Sequence, residues 1–109
     1  MVNKRARFNI YVIELNKDIL KVKKFRDANP DYVEGKPCVY VGMTSKTPKE
    51  RFEQHQRGFK AARFVKKYGI RLKPRQFEQH NPMTFEDARK MEIEIARRRR
   101  KKGWGVWQN

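Results

Sequence analysis

The segment from Cys38 to Gly58, CVYVGMTSKTPKERFEQHQRG, places a short apolar strand pattern, a glycine and a strongly marked helix start close together. Thr47 is a favourable N-cap residue, and Pro48 suits the first helical position. Glu50 follows the cap by three residues and can complete a capping box. The chain must therefore fold so that a strand over Cys38–Val41 is followed almost at once by a helix.

Three polar side chains in this segment are predicted to converge. Arg51 and His55 are four residues apart, so they share one face of the helix, and Tyr40 reaches the same small volume from the preceding strand. Alone, the arginine can be a surface cation and the histidine an ordinary helix residue. Together with a phenol beside a glycine turn, they indicate a functional site.

The charge of the chain narrows the class of partner. Lysine and arginine number 28 and acidic residues 12, so the net charge is 28 − 12 = +16, spread over the whole length. Such self-repulsion is usually retained because the partner is polyanionic. Nucleic acid is the first candidate and an anionic membrane surface the second. No apolar run approaches about 18 residues and no secretory signal follows Met1, so we expect a soluble, cytoplasmic protein.

The length of 109 residues suits a single domain, 1–109, with one modest core. Phe8–Leu15 is a nearly continuous apolar run, typical of a strand covered on both faces. It pairs most simply antiparallel with the Cys38–Val41 strand. Asn16–Ala28 predicts a short amphipathic helix, which makes 16–36 a helical insertion between the two strands. The single cysteine, Cys38, is expected to be a buried hydrophobe.

The second half of the chain predicts two further helices and a weak strand. A helix is expected over Phe59–Tyr68, and a third strand over Arg75–His80. Thr84 caps a second well-marked helix that runs to about Lys101. The closing segment GWGVWQN is too apolar for a free tail and is expected to fold back as a short strand or packed segment. The fold class is therefore α+β, a sandwich with a small, mainly antiparallel three-stranded sheet flanked by helices.

One acidic residue of the last helix is predicted to face inward. At about 100° per residue, Glu92 falls within the arc of the apolar stripe, whereas Glu94 projects away from it. The stripe consists of Phe85, Ala88, Met91 and Ile95. A carboxylate on the core side is costly to bury unless it is paired or binds a cation. Spacing alone leaves a salt bridge with an arginine and a metal site equally open.

With these residues in place, the chain resembles the GIY-YIG nuclease domain, which is found in homing endonucleases, an excision-repair nuclease and some restriction enzymes. The first signature stands here as Asn9–Tyr11 and the second as Tyr40–Gly42. Arg51 matches the helix arginine of the family, His55 matches the residue one turn later, and Glu92 matches the metal-binding glutamate.

The resemblance spans about Phe8 to Ala96, and the Cys38–Gly58 segment is similar to short stand-alone bacterial or phage members. Three departures occur. Asn9 replaces the glycine of the first signature, and Met43 stands where some members carry a lysine. An asparagine that some members carry near the end of the domain has no clear counterpart, since Gly105 falls near that position.

The resemblance implies a metal-dependent endonuclease that hydrolyses phosphodiester bonds. It implies one Mg²⁺ or Mn²⁺ on Glu92, with Arg51 neutralising phosphoryl charge and Tyr11 orienting the water or the phosphate. Tyr40 is the preferred general base, because a phenol beside cations can have its pKa lowered. His55 is the rival base or a proton relay. For both tyrosines the ordinary alternative is an aromatic residue of the strand core.

DNA is favoured over RNA as the partner, with low intrinsic sequence specificity and a protein partner as one possible source of specificity. Basic residues on the outer helix faces and near the second signature are the expected phosphate contacts: Lys46, Lys60, Arg63, Lys66, Lys67, Arg97 and Arg98. The main alternative is a basic nucleic-acid-binding domain that keeps the fold without cutting. Binding to an anionic membrane is the third class.

Overall fold

Four β-strands form one mixed sheet in the computed structural model, which describes residues 6–59 and 62–108. The strands are β1 (Asn9–Leu15), β2 (Cys38–Thr44), β3 (Gly69–Leu72) and β4 (Gly105–Gln108). Their order in the sheet is β3-β1-β2-β4. The two strands predicted first, β1 and β2, are thus the central pair.

Four α-helices accompany the sheet within the described residues. They are α1 (Lys23–Ala28), α2 (Pro48–Arg57), α3 (Arg63–Tyr68) and α4 (Phe85–Lys101). Short 3-10 helices occupy Lys17–Lys21, Pro74–Gln76 and Glu78–His80. No helix in 6–59 or 62–108 combines the length and apolar character needed to cross a bilayer.

The predicted helix starts are confirmed. At α2 the Thr47 hydroxyl accepts from the Glu50 N–H at 3.1 Å, and the Glu50 carboxylate accepts from the Thr47 N–H at 3.1 Å. At α4 the Thr84 hydroxyl accepts from the Asp87 N–H at 3.1 Å. Gly58 ends α2 with φ +83°, a left-handed conformation that favours glycine. Local capping chemistry therefore fixes where both long helices begin.

The central pair of strands is antiparallel, as predicted, and its register brings the two signature tyrosines together. Tyr11 lies opposite Gly42, and Ile13 lies opposite Tyr40. Because side chains alternate along a strand and paired residues point to the same side, Tyr11 and Tyr40 share one face of the sheet. A slip of one residue would place them on opposite faces.

The prediction of three strands was wrong, and so was the position of the third strand. Residues 75–80 contribute to two 3-10 helices separated by Phe77, the only buried residue among them, and the strand that pairs with β1 on the side away from β2 is β3. Two prolines and a single apolar residue give that segment no alternating face to pair with a sheet. The apolar tail was predicted correctly: it forms β4, which runs parallel to β2.

Two predicted helices are shorter than expected. The segment 16–28 is divided at Val22, whose extended conformation (φ −86°, ψ 116°) separates a 3-10 helix from α1. The helix predicted over Phe59–Tyr68 begins only at Arg63, and Lys60 and Ala61 lie outside the described residues. Most apolar residues of the two segments still face the core, but Phe59 is 54% exposed, so the 3.6-residue pattern indicated burial only from Ala62 onward in the second segment.

Helices cover the tyrosine face of the sheet, and its other face is buried as well. Rings from α1, α2 and α3 contact this face: Phe25 and Phe64 lie against each other, and His55 lies against both tyrosines. On the opposite side of the strands, Ile10, Val12, Val39, Val41 and Val106 are fully buried. The longest helix, α4, packs against β1, β2 and β4. This explains the continuous apolar runs in the sequence.

One buried asparagine connects α1, α4 and β4. The Asn29 carboxamide oxygen accepts from the Val106 N–H at 2.8 Å and from Arg100 Nε at 3.1 Å. Its amide nitrogen donates to the carbonyls of Phe25 at 2.8 Å and Val106 at 3.0 Å. Arg100 also donates to the Val106 carbonyl at 2.9 Å. The side chain thus satisfies several polar groups that have no access to water.

Replacing this asparagine is expected to destabilise the fold. Asn29→Ala leaves the Val106 N–H and the Arg100 guanidinium without their buried acceptor and should lower the free energy of unfolding by about 2–3 kcal/mol. Urea denaturation followed by far-UV circular dichroism measures the change. The exposed Gln79→Ala is the control and should stay within about 0.5 kcal/mol. Equal effects of the two substitutions would contradict the role of Asn29.

Candidate active site

Two tyrosines and a histidine form a buried aromatic cluster at the centre of the sheet. Tyr11, Tyr40 and His55 are each 0–1% exposed. The Tyr11 hydroxyl and His55 Nε2 are 2.9 Å apart. The His55 ring centroid lies 5.9 Å from that of each tyrosine, and the two tyrosine centroids are 6.0 Å apart. Three of the five predicted site residues are therefore in direct contact.

The glycine of the second signature makes this contact possible. A Cβ atom on Gly42 would lie 2.7 Å from both Cζ and the hydroxyl oxygen of Tyr11, and 2.9 Å from Cε2 of Tyr40. These separations are shorter than carbon atoms tolerate without contact strain, so any side chain here would displace a phenol. Gly42 is required for close approach rather than for a special backbone angle.

The hydrogen bonds of His55 define its tautomer. The Ala62 N–H donates to His55 Nδ1 at 3.1 Å, so this nitrogen carries no proton. A neutral imidazole bonded in this way carries its proton on Nε2, which then donates to the Tyr11 hydroxyl oxygen at 2.9 Å. Burial lowers the pKa of His55 to about 4, and the charge of Arg51 acts in the same direction. The ring is therefore neutral at pH 7.

Arg51 lies one turn before His55 on α2 and acts on all three members of the cluster. Its guanidinium Nη1 donates to Gln54 Oε1 at 3.2 Å and to the Phe59 carbonyl at 3.3 Å. Burial raises the pKa of Tyr11 and of Tyr40, and the positive charge of Arg51 opposes both shifts. The structure thus brings Tyr40 and His55 into contact and places Arg51 within electrostatic range of both.

The Tyr40 hydroxyl has no hydrogen-bond partner among the described residues, although it is buried. An orphaned buried hydroxyl is uncommon in folded proteins, and a catalytic role is one of its recognised explanations. In contrast, the Tyr11 hydroxyl is held by His55. Of the two phenols, Tyr40 is thus the one whose oxygen is available to an incoming group.

The fifth predicted site residue, Glu92, lies on α4. It is 6% exposed, which confirms that this carboxylate of the last helix faces inward. Burial raises its pKa to about 7, and Arg89, one turn earlier, partly opposes the shift. Its charge also contributes to raising the pKa of both tyrosines, so it lies within electrostatic range of them. None of the salt bridges found in 6–59 and 62–108 involves Glu92.

The donors available for a metal ion are few. Across residues 6–59 and 62–108, no group of three or more His, Cys, Asp or Glu side chains is arranged to hold one. Mg²⁺, however, usually keeps several water ligands and binds through one or two carboxylates together with substrate phosphates. A buried carboxylate without a salt bridge, Glu92, and an unpartnered hydroxyl, Tyr40, suit that kind of site.

The predicted phosphate-binding residues differ in their surroundings. Lys46, Arg63, Lys66 and Lys67 are exposed, and Lys60 lies outside the described residues. Arg97 and Arg98 both bond to the Glu94 carboxylate, at 2.6 and 2.7 Å. Exposed ion pairs of this kind contribute little to stability, so the two arginines can exchange Glu94 for a phosphate at small cost.

The chain carries a basic run, RRRRKK, at residues 97–102. Two of its arginines have structural partners that the sequence did not indicate. Arg99 donates to Gln76 Oε1 at 2.9 Å and lies 5.2 Å from the centroid of the Trp104 ring. Arg100 belongs to the buried Asn29 network. No sequence pattern distinguishes them from Arg97 and Arg98, because their partners lie on other elements.

Sequence reasoning also missed the role of two asparagines that position β1. Asn81 accepts from the Ile10 N–H at 2.8 Å and donates to the Ile10 carbonyl at 2.8 Å, as a neighbouring strand would. Asn9 donates to the Lys46 carbonyl at 2.9 Å. The residue that replaces the glycine of the first signature therefore fastens the loop between β2 and α2. In the sequence, Asn9 is only a departure from the family pattern, and no signal points to Asn81.

Comparison with known proteins provides no independent support for a family. No protein-family model matches the chain, and searches of curated proteins and of solved structures find no match. The resemblance to the GIY-YIG domain therefore stays a prediction based on the signature residues.

A methyl group at position 42 is expected to disrupt the cluster. Gly42→Ala places a Cβ within 2.7 Å of Tyr11 and should cost about 1–3 kcal/mol of unfolding free energy. It should also change the near-UV circular dichroism of the tyrosines while the far-UV spectrum is retained. The exposed Ser45→Ala serves as the control. An unchanged near-UV spectrum in the alanine variant at position 42 would show that the clash does not exist.

The protonation of Glu92 predicts a pH-dependent stability difference. Its folded pKa of about 7 lies above its ordinary value of 4.5, so its contribution to stability is complete below pH 4.5 and is lost as the pH rises to 7. His55 acts in the opposite direction: its contribution is complete above pH 6.5 and is lost as the pH falls to 4. Between pH 4.5 and 6.5 the two effects oppose each other.

Glu92→Gln removes only the first of these effects. Without metal, the variant should gain about 2 kcal/mol over the parent protein between pH 5.5 and 7.5. Urea denaturation at both pH values in EDTA measures the difference. Glu94→Gln is the matched control on the same helix, because the pKa of Glu94 is lowered to about 2 by Arg97 and Arg98 and does not titrate in this range. If the difference in unfolding free energy between Glu92→Gln and the parent protein were the same at both pH values, the raised pKa of Glu92 would be contradicted.

Proposed function

We propose that this protein is a metal-dependent endonuclease that hydrolyses phosphodiester bonds of nucleic acid, DNA more than RNA. The observation that carries the proposal is a buried carboxylate without a salt bridge, Glu92, within electrostatic range of an arginine-flanked pair of tyrosines, one of which has an unpartnered hydroxyl. Hydrolysis of a phosphodiester needs charge stabilisation, an activated water and help for the departing oxygen. Arg51 can supply the charge stabilisation, and the tyrosines can position or activate the water.

Each side chain has a role that follows from its surroundings. Arg51 neutralises charge on the phosphoryl oxygens, since its guanidinium already acts on both phenols. Tyr11 accepts a hydrogen bond from His55, which leaves the Tyr11 proton free to be donated to the water or to a phosphoryl oxygen. His55 thus fixes the orientation of the Tyr11 hydroxyl through this hydrogen bond and does not itself contact the substrate.

The tautomer of His55 bears on the choice of general base. Its Nδ1 already accepts from Ala62 and its Nε2 proton is directed at Tyr11, so the ring has no free lone pair for a proton. Tyr40 is therefore the better candidate, because its oxygen is the unpartnered one. Burial raises the pKa of Tyr40, which contradicts the lowered pKa expected from the sequence, so the phenol is protonated in the metal-free protein at neutral pH. Tyr40 could act as a base only once a divalent cation held by Glu92 had lowered this pKa.

Glu92 would hold the divalent cation, which fits a site built from one carboxylate and water ligands. Bound there, Mg²⁺ or Mn²⁺ would supply Lewis-acid stabilisation of the phosphoryl group and the departing oxygen, and a positive charge that favours ionised neighbours. The raised pKa of Glu92 means that protons compete for the same carboxylate near neutral pH. Metal occupancy should consequently increase with pH through 7.

A plasmid-nicking assay tests the endonuclease directly. Purified protein with Mg²⁺ or Mn²⁺ should convert supercoiled plasmid into nicked and linear forms, and EDTA should abolish the conversion. Glu92→Gln and Arg51→Ala should each lower the cleavage rate by about 100-fold or more. Glu94→Gln, on the same helix but engaged with surface arginines, should retain the parental rate. No cleavage with either metal, or equal rates for the two glutamine variants, would overturn the proposal.

A domain that binds nucleic acid without cutting it is the second candidate. The high pKa of Tyr40 and the small number of metal donors within the described residues favour it. The two functions separate experimentally, because binding without cleavage should leave affinity intact in EDTA and in Glu92→Gln. Retention on a nucleic acid with no nicking under any metal condition would select this candidate.

The charge distribution predicts weak sequence specificity and strong salt dependence. Exposed cations bind phosphates, and removing one phosphate-binding side chain should reduce the slope of log affinity against log salt by about 1. Lys66→Ala should do so, whereas Lys90→Ala, which lies on α4 and is not a predicted phosphate ligand, should not. Fluorescence anisotropy with labelled DNA at salt concentrations from about 50 to about 300 mM measures the slope. A sharp cleavage motif without any partner protein would contradict the expected low specificity.

A further inference from the structure

A pocket of about 420 Å³ lies between α1, α3 and β4, and none of the five candidate catalytic residues lines it. Its volume falls within the range of about 300–1,000 Å³ typical of ligand sites. The walls combine three aromatic rings with three cations: Phe64, Tyr68 and Trp107, with Lys24, Arg63 and Lys67. Interleaved aromatic and basic side chains are the composition expected of a surface that binds single-stranded nucleic acid.

The three rings pack edge to face. The centroids of Phe64 and Trp107 are 4.8 Å apart with an interplanar angle of 67°, and those of Phe64 and Tyr68 are 6.3 Å apart at 62°. Phe64 thus contacts both Trp107 and Tyr68. Trp107 and Tyr68 are half-buried, so each is anchored on one side and accessible on another.

Cations mark the accessible faces. Lys24 Nζ lies 5.6 Å from the centroid of the Trp107 ring, and Lys67 Nζ lies 5.4 Å from that of Tyr68. An ammonium over a ring at a partly exposed site contributes only about 0.5–1 kcal/mol. A nucleobase stacks on an aromatic face more strongly, by about 1–3 kcal/mol, and brings a phosphate to which the displaced lysine can move.

We propose that this pocket binds an unpaired nucleobase of a single-stranded segment, stacked on Trp107 or Tyr68 with its phosphates on Lys24, Arg63 and Lys67. The inference rests on the proposed binding of nucleic acid but not on cleavage. The preferred substrate would then have at least one unpaired base close to the phosphodiester bond that is cut.

The pocket is connected to the candidate active site by backbone and by register. Ala62 lines the pocket, and its N–H is the group that fixes His55 through Nδ1. Trp107 lies beside Tyr40 in the parallel β2–β4 pair, so the two side chains are neighbours on one face of the sheet. A base held on Trp107 would therefore lie on the same face of the sheet as Tyr40.

The two tryptophans provide a matched fluorescence test. Trp104→Phe leaves Trp107 as the only tryptophan, whereas Trp107→Phe leaves Trp104, which lies under Arg99 and does not line the pocket. Each variant is titrated in EDTA with an oligothymidylate of about 12 nucleotides, and with a blunt duplex carrying the same number of phosphates. We expect the oligothymidylate to quench Trp107 strongly, Trp104 to change little, and the duplex to quench neither.

Affinity measurements separate stacking from packing. Trp107→Leu should weaken binding of the oligothymidylate by about tenfold or more, whereas Trp107→Phe, which keeps an aromatic face, should retain most of the affinity. Tyr68→Leu is the second variant if Trp107→Leu does not fold, and Trp104→Leu is the control. Equal affinities of the Leu and Phe variants at 107, or equal quenching by duplex and single strand, would overturn the pocket assignment.

The outcome of this experiment is independent of the nicking assay. Cleavage of plasmid without quenching of Trp107 would overturn the pocket and leave the endonuclease standing. Quenching of Trp107 by the oligothymidylate without any cleavage would overturn the endonuclease and leave the pocket standing. Weakening by Lys67→Ala but not by Trp107→Leu or Tyr68→Leu would show a surface that binds phosphates only, and would overturn the pocket as a base-binding site.

Discussion

The contact of two phenols across a glycine is the constraint on which the rest of the structure depends. Tyr11 and Tyr40 come from adjacent antiparallel strands and can share one volume only because position 42 carries no side chain. That contact fixes the register of the central strands, and the register fixes which residues face His55 and which face the other side of the sheet. A shift of one strand by one residue would put the two tyrosines on opposite faces of the sheet and turn the apolar residues of that strand's other face toward the cluster.

A backbone group outside the cluster, the Ala62 N–H, fixes the tautomer of His55 and thereby the hydrogen bonding of the two phenols. Ala62 holds Nδ1 of His55, which directs the other ring proton at Tyr11 and leaves Tyr40 as the phenol without a partner. Burial then acts on every member: it lowers the pKa of the histidine and raises those of the tyrosines and of Glu92. A buried carboxylate that is not neutralised by an arginine costs stability, and such a cost is common where a site is built to bind a ligand or a cation.

Prediction from the sequence succeeded where the signal was local. The capping residues Thr47 and Thr84, the two central strands and the inward orientation of Glu92 were all predicted correctly, since each depends on neighbours within one turn or one strand. Of the candidate site, the convergence of Arg51, His55 and Tyr40 was predicted from the same kind of spacing. The assignment of a reaction and a metal came from resemblance to a nuclease family, and it stays a proposal.

The chain itself thus determined its helix starts, its central strands, its strong positive charge and the identity of its polar site residues. Only the tertiary structure decided that β3 rather than residues 75–80 pairs with β1, and that β4 adds to β2 in parallel. It also decided that Arg99 and Arg100 serve packing, and that Trp107 stands beside Tyr40 at a cation-lined pocket. The physical reason is that capping and periodicity act between residues close in sequence. Strand order, buried hydrogen-bond partners and the tautomer of a histidine depend on groups that meet only after distant segments have packed together.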